Sequence, residues 1–141
     1  MTDRRVQEQQ FLADLGEEIL GRTARVERSE GNPVISIGED LRITVGSQWR
    51  LIDCEGVIVT DMDDDQWFGL SAPVSAPDLA TEKLAGQKVV GIKFDATTGD
   101  LRIYFDRGLT LEIITNSSGY ESWVMWLRGE HFAVGANRGL V

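Results

Sequence analysis

The stretch LRIYFDRGLTLEI, residues 101–113, alternates apolar and polar positions, breaks at Asp106-Arg107-Gly108, and alternates again. The pattern predicts a β-hairpin with a three-residue loop, a type I turn followed by a residue at positive φ, which suits Gly108. Such a loop sets the register. Leu101 faces Ile113, Ile103 faces Leu111 and Phe105 faces Leu109, all on one side of the ribbon, while Arg102 faces Glu112 on the other. Residues 34–45, VISIGEDLRITV, repeat the device around Gly38-Glu39-Asp40.

The rest of the chain is read the same way. Residues 5–20 predict a helix, with Val6, Phe11, Leu12, Leu15, Ile19 and Leu20 at helical spacing and Gly21 as its stop. Residues 22–29 predict a strand, and EGNP a turn. SQWRLID and GVIVTD predict two more strands around Cys54-Glu55-Gly56. SAPVSAPD, rich in small residues and proline, is the only linker-like segment. APDLATEKLAG predicts a short helix, capped by Ser75 or Asp78, with Leu79 and Leu84 toward the core and Gly86 at its end. QKVVGIKFD predicts a strand of period two, and YESWVMWLR and HFAVG the last strands.

The two halves run in one order: helix, strand, hairpin, tryptophan strand, final strand. Ile35 and Ile37 match Ile103 and Phe105; Leu41, Ile43 and Val45 match Leu109, Leu111 and Ile113; Trp49 matches Trp123 after a longer loop. The fold class expected is therefore α+β and β-dominated, built from an internally duplicated unit of a short helix followed by antiparallel strands and hairpins. Each unit has an apolar sheet face that it cannot bury alone, so two units share one core. The halves lie at about 6–70 and 77–135, joined by connector 71–76, within a single domain 1–141. Two independent meanders of ordinary patterning are the alternative.

Composition narrows the function classes. The 141 residues carry a net charge of −9, with 42% hydrophobic and 26% charged residues, an ordinary globular balance. Residues 1–70 hold 15 acidic and 7 basic groups, against 8 and 7 in the remainder, and the densest run is DCEGVIVTDMDDD. That disfavours nucleic acid, which needs clustered Lys and Arg, and allows a basic partner. One cysteine excludes an internal disulfide and a cysteine-built zinc site. With no leader-like apolar run and no membrane-length apolar stretch, the sequence reads as a cytoplasmic protein without membrane association.

The segments SQWRLIDCEGVIVTDMDDD, KLAGQKVVGIKFDATTGDLRIYFDRGLTLEI and YESWVMW resemble a group of small uncharacterised bacterial proteins. Members pair a WRL segment with a later YESW segment, and some look like immunity proteins that sit beside bacterial toxins. The resemblance covers roughly residues 15–135 and rests on patterns; it brings no catalytic residues. The chain departs from the group at Thr60-Asp61-Met62-Asp63, where Gly-Ser is usual.

Candidate chemistry is sparse. Asp61, Asp63 and Asp65 begin like a calcium loop, but Gln66 stands where the sharp turn wants glycine and Ala72 where a bidentate glutamate is needed. His131 is the only histidine and has no nucleophile motif near it. Cys54, between Asp53 and Glu55, reads as a partly buried, inert thiol. No spacing singles out a general acid/base pair among the carboxylates. No catalytic residue, metal-ligand set or cofactor is expected. Trp123-Val124-Met125-Trp126-Leu127 is apolar on both strand faces, so both faces are covered or one meets a partner. The sharper expectation is a binding patch of Asp61, Asp63, Asp64, Asp65, Trp67 and Phe68, an acidic field with an aromatic anchor suited to a basic protein surface. The reading is a small protein-binding module, of the immunity-inhibitor type for a basic toxin, with a symmetric homodimer left open. The alternative is a small-molecule domain with its ligand held between the sheets.

Overall fold

A computed structural model describes residues 4–95, 97–116 and 122–134, with the side chains of 4–9, 11, 12 and 130–134 outside the description. Among the described residues are two α-helices, α1 (Arg4–Ile19) and α2 (Ala76–Leu84), and ten strands. The first five are β1 (Ala24–Ser29), β2 (Asn32–Ile37), β3 (Leu41–Val45), β4 (Gln48–Asp53) and β5 (Gly56–Thr60). The second five are β6 (Val89–Phe94), β7 (Leu101–Phe105), β8 (Thr110–Ile114), β9 (Trp123–Leu127) and β10 (Glu130–Val134). The protein is α+β and strand-rich.

The strands form two antiparallel sheets, ordered β1-β2-β3-β9-β10 and β5-β4-β8-β7-β6. Advancing every strand number by five converts one order into the other. Each half supplies a three-stranded meander to one sheet and sends its last hairpin across to the other. The sheets are thus mixed, not one per half as a simple stacking of two units would have it. The junctions match as well: Val45 pairs with Trp123 at β3–β9, and Ile113 pairs with Trp49 at β8–β4. The helices cross over too, α1 packing on β6 and α2 on β1.

The predicted hairpin register is the observed one. Leu101 pairs with Ile113, Arg102 with Glu112 and Ile103 with Leu111, while the Phe105 N–H donates to Leu109 O across the turn at 2.9 Å. Alternation puts Leu41, Ile43, Val45, Leu101, Ile103, Leu111 and Ile113 into a single core cluster with Trp49, Trp123, Leu15, Ile19 and Leu84. Both sheets and both helices therefore close on one interior, the favourable outcome for faces that water would otherwise wet.

Sheet edges are managed differently at each side. On β1 the Thr81 hydroxyl of α2 accepts from the Val26 N–H at 2.9 Å and donates to the Val26 carbonyl at 3.0 Å. On β6 the residues after α1 take over: Gly21 N–H donates to Val89 O and Val89 N–H to Arg22 O, both at 2.8 Å. Register shifts in β5 and β6 add bulges that bend those edges.

Several local expectations change. The first turn is only Glu30-Gly31, both at positive φ, and Asn32 and Pro33 already belong to β2. The bulge in β6 turns Val90 outward, against strict period two. Leu20 lies past the end of α1 and is half exposed, so it leaves the stripe. Cys54 is exposed, because the two-residue turn between β4 and β5 projects beyond the sheet. Tyr120 and Glu121 and the side chain of His131 lie outside the described residues.

Candidate functional site

The connection from β5 to α2 carries the expected patch, and its base is held by its own carboxylates. Residues Asp61–Asp63 form one turn of 3₁₀ helix, closed by a reciprocal cap. Thr60 Oγ1 accepts from the Met62 N–H at 3.0 Å, and Asp63 Oδ2 accepts from the Thr60 N–H at 2.9 Å. Asp61 Oδ1 accepts from the Trp49 N–H at 3.2 Å, tying the turn to β4.

Asp64 reaches furthest. Its two oxygens take both terminal nitrogens of Arg28 in β1, at 2.5 and 2.6 Å, and Oδ1 also accepts from the Ala76 N–H at 2.9 Å. The bidentate Arg28 guanidinium and the Ala76 amide hold its carboxyl below the usual carboxylate range. Ala76 is the first residue of α2, so Asp64 caps an otherwise orphaned helical N–H. Ser75, one of two caps expected, is the N-cap residue, its hydroxyl facing the Asp78 N–H at 3.4 Å.

Above this base the chain closes on itself. Asp65 N–H donates to Val74 O and Val74 N–H to Gln66 O, both at 2.8 Å. Inside that clasp, Phe68 (φ 46°) and Gly69 (φ 75°) form the centre of a turn whose Leu70 N–H donates to Trp67 O at 2.7 Å. Two central residues at positive φ mark type I′ geometry, which suits glycine but strains phenylalanine. Four large apolar side chains stand in water here: Met62 (70% exposed), Trp67 (57%), Phe68 (66%) and Leu70 (58%).

The six expected residues are thus brought together in one loop, but their roles divide. Asp61, Asp63 and Asp64 build the base. Asp65 is exposed, and its carboxylate has no hydrogen-bond partner among the described residues. Trp67 and Phe68 form the tip. Asp61 and Asp63 accept from backbone amides, whereas Asp64 takes the Arg28 guanidinium. Sequence reading missed Met62, Leu70 and Arg28. Met62 and Leu70 carried a signal, apolar residues without period in a connector; Arg28, in a distant strand, carried none.

Among the described residues no three of these carboxylates converge as metal ligands would, and no helix is long and apolar enough to cross a membrane. The space between the sheets is filled by core side chains of both. No protein-family model, curated protein or solved structure matches this chain. The site must therefore be judged on its own chemistry.

A strained aromatic at the tip makes a direct prediction. Phe68→Asn places before Gly69 the residue that type I′ turns favour, and it raises stability by about 0.5–1 kcal/mol in chemical denaturation. An unchanged or lower midpoint would show that the turn relaxes without cost.

Proposed function

We propose that the protein is a small protein-binding module whose contact surface is the loop from Met62 to Leu70. The observation that carries this reading is the exposure of four large apolar side chains on one short loop with a fixed base. Scattered apolar residues on a surface need no explanation, but four on one short loop, tryptophan and phenylalanine among them, are the composition of a binding anchor. Holding the anchor in one conformation before contact lowers the ordering cost of association.

The partner class is a basic protein. Asp61, Asp63 and Asp65 lie in the same connection as the anchor, in a chain of net charge −9, and complementary charge speeds encounter and suppresses wrong partners. The narrower reading, an inhibitor of a basic toxin acting in the cytoplasm, rests only on the pattern resemblance to small uncharacterised bacterial proteins, some of which look like immunity proteins. Inhibition would follow from occupying the toxin's cationic surface, with no chemistry by this chain.

The test is paired capture from the source lysate at low and high salt. Wild type retains a basic protein that salt releases, and Trp67→Ser with Phe68→Ser abolishes its retention while leaving the unfolding midpoint in place. Identical capture by wild type and the double variant sinks the reading, as does retention that salt does not weaken.

A further inference from the structure

The outer faces of the two sheets share a register and differ in chemistry. On the sheet built around β8, Glu112 is 6% exposed and lies between Arg50 and Arg102, each 3.4 Å away. Both arginines are answered by that carboxylate. The matching positions of the other sheet are Val34, Thr44 and Val124, which carry no charge. One rung along, Ser36 pairs with Arg42 and Arg42 with Trp126, placing a hydroxyl, a guanidinium and an indole side by side.

The Arg42 side chain is exposed and makes no ion pair or hydrogen bond among the described residues. Beside it lies an open cleft of about 340 Å3, lined by Ser29, Val34, Arg42, Thr44 and Trp126. Val34 is buried yet lies outside the central core cluster, so it forms an apolar floor on this outer face. Next to Arg42, the Ser36 hydroxyl is buried (3% exposed) and has no hydrogen-bond partner among the described residues. An unpartnered buried hydroxyl is uncommon, and it sits here beside an unanswered cation.

We propose that this cleft binds a small aromatic carboxylate. A flat ring lies against the exposed part of the Trp126 indole and over Val34, and its carboxylate takes the fork of Arg42. One guanidinium matches one carboxylate in charge and shape; a phosphate dianion would call for a second cation, and the cleft lining has none among the described residues. Ser29 and Thr44 supply hydroxyls at the wall for a polar substituent. The volume is in the range of small-molecule sites. This site is separate from the Met62–Leu70 loop and does not depend on the protein-binding reading.

Cinnamate is the probe, with cinnamyl alcohol as its neutral counterpart, followed through the Trp126 indole N–H resonance and the amides of Arg42 and Thr44. Saturable shifts with cinnamate are expected, at least roughly tenfold weaker for the alcohol and for Arg42→Gln. Trp67→Ser, outside the cleft lining, leaves the affinity unchanged. Arg42 is exposed and its side chain is unpaired among the described residues, so Arg42→Gln folds as wild type does, which its unfolding midpoint checks. Absence of shifts up to about 10 mM cinnamate overturns the proposal. So does equal binding of acid and alcohol, or equal binding by Arg42→Gln.

Discussion

Trp123→Ala lowers the unfolding free energy by about 3–5 kcal/mol and the midpoint by roughly 10–20 °C. The indole is fully buried at the junction where the second half crosses into the first half's sheet. Its ring meets Phe94 of the opposite sheet edge-to-face at 6.1 Å between centroids, and its N–H donates to the Gly99 carbonyl at 3.1 Å. Truncation leaves a cavity between sheets that backbone pairing keeps apart, so collapse is incomplete. Trp123→Phe is the informative companion. It keeps most of the ring, and Gly99 O retains the Thr115 hydroxyl at 2.7 Å, so the lost hydrogen bond costs only about 1 kcal/mol. Urea denaturation of the two variants measures the difference. A loss below about 1 kcal/mol for Trp123→Ala would contradict the shared core.

Asp64→Ala costs about 2 kcal/mol at neutral pH and loosens the binding loop. Two contributions add: the α2 N-terminal cap at Ala76, and the bidentate Arg28 pair, discounted because the Arg28 side chain is 44% exposed. The sign of the pH dependence follows from the lowered carboxyl. A group held below its ordinary value stabilises the fold above the unfolded-state value, and that contribution fades as pH falls through the folded value. Wild type and Asp64→Ala therefore differ by a constant amount from neutral pH down to about pH 5, and converge below about pH 4. Amide exchange at Asp65 and Val74 accelerates in the variant, since their clasp stands on this base. A gap that persists unchanged into acid would show that Asp64 does not act through its charge.

The hairpin at residues 101–113 was legible to the individual pair, because alternation fixes which side chains share a face and Gly108 fixes the loop. The apolar runs GVIVT and KVVGI were legible as strands but not in phase. A continuous apolar run looks the same with or without a bulge, so the outward turn of Val90 had no signal. The patch was legible as a neighbourhood. Asp61, Asp63, Asp64 and Asp65 are chemically alike in sequence, and only the fold brings Arg28 to Asp64 alone. The cleft beside Trp126 was half legible, as a strand apolar on both faces; that Arg42 stands unanswered there depends on which strand pairs with β9.

The sequence by itself determined the local events: helix faces, hairpin turns, caps, and which residues of a strand must leave water. These follow from periods of 3.6 and 2 and from the turn chemistry of a few residues, all within a short stretch of chain. Only the tertiary structure decided that β3 pairs with β9 and β4 with β8, that α2 seals the edge of β1, and that the aspartates divide between supporting the loop and charging it. Those outcomes depend on contacts between residues tens of positions apart, where many pairings satisfy the same local pattern and the complete burial of both sheets selects one.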